Sequence, residues 1–444
     1  MRSSDRLKLA LVGDLEARFV YLGNFEVERD WAEGRPRLPG ANVNFTAATV
    51  NRMEELGFFL ADAGDALILK EQLAPDYRAY LAALGVVGAP ILCPENSEPA
   101  RRVTEDVLAS PRLMNELRAL ADGRTYLLPL GVSKHEQLLS ERVGLPLAVP
   151  GADVCAAVNS KVFGRELVAR VGLRQVPGAS CSDVDQVEAA IRTFLLPGGR
   201  VVLKEALGVS GRGMAVFDDE SRAQRFVTML RKRGGAVDLV VEQWVDKVTD
   251  LNYQFVISRD GAIAFETIKA AVVDSGVHRG HQFPVALPDE VSGEIHRAAD
   301  LIGADLFAHG YFGVVGVDAM LSADGTLHPC LEINARLNMA NYQNAIAERL
   351  LPADAAAEAG AIDVTFDSPR TFTDFTWPVR DLLMSAGDRR GVVITNFATV
   401  NAGATEGETF RGRVGVLCIG ADAADAATLR AEFAKRLALG AVRT

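Results

Sequence analysis

The sequence predicts a multidomain chain of mixed α+β and α/β architecture, with an α/β N-terminal domain, a larger α+β core and a small C-terminal α/β domain. Three observations lead there. The 444 residues exceed what one ordinary hydrophobic core organises. Apolar runs of strand length alternate with helical patterns through the first part of the chain. Two Asp-Gly turns, Asp260-Gly261 and Asp324-Gly325, are each flanked by apolar runs and read as antiparallel hairpins, which a doubly wound parallel sheet would not contain. The expected boundaries are 1–150, 151–355 and 356–444.

The elements follow in order. Residues 7–13 read as a buried strand ending at Gly13, followed by strands at Ala66–Leu69 and Tyr126–Pro129, with a helix at Tyr77–Leu84 between them. Gly144–Gly151 reads as a linker or edge turn. Asn159 or Ser160 caps a helix whose apolar face carries Phe163, Leu167 and Val171 and which stops at Gly172. Ser182 starts a second helix, with Val184, Val187, Ile191 and Leu195 on one face, ended by Pro197-Gly198-Gly199. Strands are expected at 200–204 and 238–242, then the two hairpins, 251–258 with 262–268 and 313–322 with 327–333. The Ala-rich stretch 353–361 reads as a junction. Beyond it come strands at 391–397 and 414–420 and a helix over about 423–439.

Composition narrows the function. Hydrophobic residues make up 49% and charged residues 24%, the range of globular proteins. A formal net charge of -11 argues against general nucleic-acid binding, which needs clustered Lys and Arg. The one dense basic run, Arg231-Lys232-Arg233, reads as a solvated helix end. Five scattered Cys without CxxC spacing argue against a disulfide framework or a zinc site and suit a reducing cytoplasm. No leader-like segment and no run of membrane-spanning length is readable. The expectation is a cytoplasmic protein without nucleic-acid or membrane partners, its oligomeric state left open, a homodimer included.

Two constellations carry chemistry. In the first, Lys204 ends a strand and Gly208-Val-Ser210-Gly211-Arg-Gly213 follows. Glycines let backbone N–H groups approach a phosphate chain, Ser210 adds a hydroxyl donor and Lys204 a positive charge. Neither a Walker A loop nor a Rossmann fingerprint matches, and a flexible surface turn is the competing reading. In the second, Glu332, Asn334 and Arg336 alternate along a strand and so share a face, and Asp318 lies on the partner strand of the hairpin. Two carboxylates and a carboxamide are hard oxygen donors suited to Mg²⁺ on nucleotide phosphates, and Arg336 suits an anion held bidentately. An exposed strand face with a surface ion pair is the alternative. The apolar neighbours Leu331 and Ile333 weigh against it.

Together, and in this order over roughly 150–345, these motifs resemble the ATP-grasp superfamily. Asn159-Ser-Lys161 resembles its first phosphate-binding lysine motif, Lys204 the second lysine, and Glu242-Gln-Trp-Val245 the adenine-binding strand and linker. The resemblance implies ATP and Mg²⁺ as cofactors. It implies Glu242 and Val245 against adenine, Asp250 at the ribose, Asp318, Glu332 and Asn334 as metal ligands, and Arg336 at the reacting carboxylate or phosphate. Within the superfamily the chain is most similar to the peptide ligases of peptide-antibiotic biosynthesis, notably the pheganomycin type. That implies a small acid, a guanidino-bearing amino acid derivative among the candidates, joined to the N-terminus of a peptide through an acylphosphate. Residues 274–283 read as a polar loop on the substrate side, with His278 and Arg279 as substrate contacts or else a plain solvated loop. The other expectations are a carboxylase or phosphotransferase using the same nucleotide site, or a nucleotide-binding protein without turnover.

Overall fold

The structure, a computed structural model, describes residues 1–38, 46–208, 213–234, 236–274, 277–405 and 407–441. Among the described residues sixteen strands form three sheets. Strands β1 (Arg18–Leu22), β2 (Ala66–Ile68), β3 (Ile91–Leu92) and β4 (Thr125–Pro129) make a parallel sheet in the order β3-β2-β1-β4. Strands β5 (Gly178–Asp183), β6 (Val201–Glu205), β7 (Met214–Phe217) and β8 (Ala236–Gln243) make an antiparallel sheet, β5-β8-β6-β7. The third sheet is antiparallel and eight-stranded. It contains β9 (Lys247–Ile257), β10 (Ile263–Asp274), β11 (Val277–Phe283), β12 (Gly313–Ser322), β13 (Leu327–Asn334), β14 (Ala356–Phe366), β15 (Gly391–Asn396) and β16 (Phe410–Gly420). Its order is β13-β12-β9-β10-β11-β14-β16-β15.

Both Asp-Gly hairpins form as the sequence expects, and the strands and helices at 200–204, 238–242, 391–397 and 423–439 are present with shifted ends. The basic run closes the Glu220–Lys232 helix, where Arg231 pairs with Asp185 and Glu188.

Four expectations fail, each for a local reason. Residues 7–13 do not form a strand; Ser3–Leu11 is a helix. Leu7 and Leu11, four apart, are buried on one face, and Lys8 reaches Asp65 at 3.0 Å. A short apolar run does not distinguish the two periods by itself, and the first strand is Arg18–Leu22 instead. The second core helix starts after Asp183, whose carboxylate accepts from the Gln186 N–H, while Ser182 lies in β5. The Ala-rich stretch is no junction, because Ala356–Phe366 is an eleven-residue strand. β14 pairs with β11 on one side and β16 on the other, so the sheet runs without a break across the expected boundary at 355/356. Small residues are what this pairing admits: a Cβ on Gly360 would lie 2.3 Å from the Arg279 carbonyl oxygen. Finally, 277–283 is not a loop but β11, in the middle of the same sheet.

Two joints place the parallel sheet and the Lys161–Arg170 helix against the end of β13. The Leu337 N–H donates to the Leu130 carbonyl, just past β4, at 2.9 Å. Asn159 exchanges two hydrogen bonds with Ala335: its Oδ1 accepts from the Ala335 N–H at 2.9 Å and its Nδ2 donates to the Ala335 carbonyl at 3.1 Å. A buried side chain that mimics a strand partner in this way fixes the helix start relative to Asn334 and Arg336. Among the described residues no helix is long and apolar enough to cross a membrane.

Candidate functional site

The hairpin register builds one polar face. Asp318 on β12 lies directly opposite Glu332 on β13 and opposite Asn252 on β9. Gly316 likewise lies opposite Asn334 and Gln254. Directly paired residues in a sheet point to the same side, and so do residues two apart. Asn252, Gln254, Asp318, Glu332 and Asn334 therefore share a face. Asn252 Nδ2 donates to Asp318 Oδ1 at 2.7 Å, Gln254 Nε2 to Asn252 Oδ1 at 2.5 Å, and Asn338 and Asn341 donate to Gln254 Oε1 at 3.0 and 3.1 Å. This chain of carboxamides holds Asp318 from behind. Gly316 makes room for it, since a Cβ there would sit 2.5 Å from Gln254 Nε2 and 2.6 Å from Asn338 Nδ2.

Burial, and then the facing Glu332 charge, push the Asp318 carboxyl up to about 6. Two carboxylates opposed in a poorly solvated site gain from a shared cation. With the Asn334 carboxamide they form the donor set that Mg²⁺ uses when phosphates and water complete its shell. Among the described residues no cluster of three His, Cys, Asp or Glu side chains is placed to hold a metal, so a site here needs such outside ligands.

A pocket opens beside this face, lined by Lys161, Arg165, Lys204, Glu242, Cys330 and Glu332 among others. Lys161 and Arg165 are four apart on the Lys161–Arg170 helix and so share a face. Lys161 Nζ donates to Glu332 Oε1 at 2.7 Å and to the Gly208 carbonyl at 3.2 Å. Burial opposes its charge, but the Glu332 carboxylate prevails and the ammonium pKa is raised. Lys204 on β6 and Glu242 on β8 are diagonal neighbours across paired strands. Lys204 Nζ donates to Glu242 Oε2 at 2.6 Å, while Arg165 donates to Glu242 Oε1 at 2.8 Å and to the Val176 carbonyl. Arg336 donates to Asn334 Oδ1 at 3.0 Å, to the Leu337 carbonyl at 3.1 Å, and to Glu28 of the Val27–Trp31 helix.

Thus the structure brings Lys161, Lys204, Glu242 and Glu332 to one pocket, with Asp318, Asn334 and Arg336 adjoining it. The other expected residues are scattered around it. Gly213 has φ +70°, and a Cβ there would meet Glu205 Oε2 at 2.4 Å; its carbonyl accepts from the Glu205 N–H at 2.8 Å. Gly208 meets Lys161 through its carbonyl, whereas Ser210 and Gly211 lie outside the described residues. Val245 is half-buried between β8 and β9, and Asp250 on β9 pairs with Lys247. Arg279 lies on β11, not in a solvated loop, and its carbonyl accepts from Arg430 at 3.4 Å; the backbone of His278 pairs with Val273.

Sequence reasoning missed several members. Lys269 on β10 is fully buried opposite Asn252, donates to the Ala340 carbonyl at 3.0 Å and to Gln343 Oε1 at 3.1 Å, and has its pKa lowered by burial. His281, which with His278 the sequence offered as a possible metal ligand, is instead buried on β11 with Nδ1 3.1 Å from the same Gln343 oxygen. The alternation of Asn252 and Gln254 within an apolar strand was a usable sign of an inward polar face, because both residues are uncommon in strands. Arg165 was readable as the i+4 neighbour of Lys161; Glu28 left no such sign.

Comparison with known proteins gives two domain matches, a Pre ATP-grasp domain over residues 53–145 and an ATP-grasp domain over 167–336. A curated relative from Niallia circulans, [Butirosin acyl-carrier protein]--L-glutamate ligase, is 32% identical over 227 residues, 49% of this chain and 53% of the relative. A biotin carboxylase from Pseudomonas aeruginosa is 32% identical over 96 residues, covering 22% of this chain and 21% of that protein. The chain thus spans about half the length, or less, of these curated relatives. Among solved structures, an ADP complex of N5-carboxyaminoimidazole ribonucleotide synthetase superposes with a TM-score of 0.55 at 13% identity, over 94% of this chain and 96% of that one. A biotin carboxylase from Campylobacter jejuni gives 0.54 at 13% identity, over 87% and 88%. At that identity the likeness is one of fold.

Proposed function

We propose that this chain, a member of the ATP-grasp family, is an ATP-dependent carboxylate–amine ligase that releases ADP and forms an amide through an acylphosphate. The observation that carries the reading is the pocket itself, where Lys161, Lys204 and Glu242 converge beside the opposed pair Asp318 and Glu332. Lys161 and Lys204 serve the nucleotide phosphates, and the glycine-rich run with Gly208, Ser210, Gly211 and Gly213 is assigned to the same phosphates. Glu242 and Val245 serve the adenine and Asp250 the ribose. Asp318, Glu332 and Asn334 are the residues that would hold Mg²⁺, which when bound offsets phosphate charge.

Arg336 holds the acid substrate so that a carboxylate oxygen faces the γ-phosphorus. The P–O bond to ADP breaks as the carboxylate–phosphorus bond forms, and an amine then attacks the acyl carbon and expels phosphate. Such catalysis is mostly positioning and charge stabilisation, so no nucleophilic Ser or Cys is required. β11, with His278 and Arg279, is assigned to the substrate side. The name of the 32% identical relative, which pairs a carrier protein with L-glutamate, supports a small amino acid or derivative as one partner and a biosynthetic setting. The finer reading joins a guanidino-bearing acid to a peptide N-terminus.

Steady-state ADP release, measured with acids and amines added singly and together, tests this. Release that requires both supports the ligase. Release that requires bicarbonate instead makes the protein a carboxylase, the alternative that the shorter biotin carboxylase match favours.

A further inference from the structure

We infer that Glu28 is the anchor for the amine substrate, held as its ammonium beside the acyl group at Arg336. This rests on the ligase reading and adds to it a residue from the first domain and a substrate class, a cationic primary amine.

The geometry begins with the fold. Glu28 follows the carboxyl end of β1, the edge of a parallel sheet where α/β domains present their ligand-contacting residues. The backbone joint from Leu337 to Leu130 brings that edge onto the end of β13. Glu28 and Arg336 meet there with side chains only 15% exposed each. One Glu28 oxygen accepts from Arg336, but the other, Oε2, is buried with no hydrogen-bond partner among the described residues. Among the described residues Arg336 Nε, on the same guanidinium edge as the Nη2 that meets Glu28, is also buried without a partner.

An ion pair that leaves one acceptor and one donor unmatched is a poor structural device. Each unmade hydrogen bond to a buried charged group is costly. It is, however, what two neighbouring substrates of opposite charge would complete. A carboxylate or acyl oxygen matches Arg336 Nε, and an ammonium matches Glu28 Oε2. The two substrate groups would then lie side by side; the ammonium gives one proton to water to become the attacking amine, and the second proton leaves with the expelled phosphate. Glu28 is also within electrostatic reach of Lys161, one of the cations assigned to the phosphates.

The test compares two nucleophiles in the full-length protein with Mg-ATP. Each of the proteinogenic amino acids is offered in turn as the acid. Hydroxylamine, largely uncharged at pH 7, is set against amino acid amides, whose α-amino groups are mostly protonated there and which carry no carboxylate of their own. For Glu28→Gln the ratio of kcat/KM for the charged amine to that for hydroxylamine should fall about ten- to hundredfold, the effect of one charge-assisted hydrogen bond. The loss should appear mainly as a raised KM for the amine, and Glu28→Asp should recover part of it. A merely structural role would depress both nucleophiles together; equal loss, or no loss, overturns the inference. Hydroxamate from no acid at all with the wild-type protein overturns the ligase reading instead, and the Glu28 assignment with it.

Discussion

Asp318 and Glu332 stand opposite each other on paired antiparallel strands, and the carboxyl of Asp318 is pushed up to about 6 by burial and by that neighbour. Glu332 in turn carries the Lys161 ammonium at 2.7 Å. The two acids therefore differ in what removing them does. Asp318→Asn deletes a like charge, and a raised folded-state pKa means that the ionised form costs stability once the pH passes about 6. This variant should melt no lower than the wild type at pH 7.5, yet lose Mg²⁺-dependent turnover by more than the roughly 10- to 100-fold typical of a lost supporting partner. Glu332→Gln should lose turnover and also melt lower, because it strands a buried lysine. Melting curves with and without Mg-ATP, and turnover after chelation, check both; turnover indifferent to chelation removes the metal assignment.

Lys204→Ala should raise the Kd for ATP strongly with little change in melting temperature. Lys204 packs at the pocket wall, and after its removal Glu242 still has Arg165 at 2.8 Å. Arg165→Ala is the contrasting case. It takes away the bond to the Val176 carbonyl as well as the ion pair, so it should cost stability by about 1–3 kcal/mol in addition to weakening nucleotide. If Lys204→Ala binds ATP as the wild type does, the phosphate role of that lysine is wrong.

Gly316→Ala tests the carboxamide chain behind Asp318. The added methyl would approach Gln254 Nε2 and Asn338 Nδ2 to 2.5 and 2.6 Å, and neither side chain has a free direction, since Gln254 is fully buried and Asn338 caps the Met339–Leu350 helix. A destabilisation of about 1–3 kcal/mol is expected from this overpacking. Mg²⁺ dependence should shift to higher concentration, because Asp318 loses the support of Asn252. Unchanged melting would show that the network yields without cost.

Glu26, at the start of the helix that carries Glu28, has both carboxylate oxygens buried with no partner outside its own residue among the described residues, and burial raises its pKa to about 7 against the lowering pull of its own backbone N–H. The folded protein thus holds a proton that the unfolded chain releases near 4.5. Stability from this group is fully present below pH 4.5 and is lost as the pH rises through about 7, on the order of 3 kcal/mol over the whole span. Glu26→Gln should flatten the fall in melting temperature between pH 5 and 8 and be the more stable protein at pH 8. A parallel pair of pH profiles would contradict the burial argument.

Much of this was legible in the amino-acid order, and the rest was not for identifiable reasons. The Glu332-Ile-Asn334-Ala-Arg336 alternation and the Asp-Gly turns carry their own geometry, because strand period and hairpin register follow from local chemistry. Lys161 beside Glu332 and Lys204 beside Glu242 are contacts across 171 and 38 residues, so only the residue types were readable and not the pairing. Leu7 to Leu11 misread as a strand because a short apolar stretch satisfies both periods until a partner surface selects one. Residues 277–283 looked like a loop since His278, Arg279, Gly280, His281 and Gln282 have poor strand propensity; their place in the sheet is imposed by β10 and β14 on either side. Glu28 was invisible because its importance arises only where the first domain docks on the end of β13.

The products of ATP distinguish the reaction class. Lys161 and Lys204 enter the pocket from a helix and from β6, while Glu332 lines it from the larger sheet with Asp318 opposite, so cations and a carboxylate bracket the position proposed for the phosphates. Arg336 adjoins Asn334 beyond the carboxylates, on the side where the terminal phosphate would lie. In the proposed reading a carboxylate gripped there would meet the γ-phosphorus, which favours ADP and an acylphosphate over AMP and an acyladenylate. Water must be kept from such an intermediate until the amine arrives, and the half-buried setting of Arg336 and Glu28 suits that. With an acid labelled with ¹⁸O in its carboxylate, one label should therefore appear in the inorganic phosphate released during amide formation, and the nucleotide product should be ADP. Label recovered in AMP would replace this chemistry with adenylation. Phosphate transferred to a stable acceptor, with no label released and no amide formed, would make the protein a kinase built on the same nucleotide pocket.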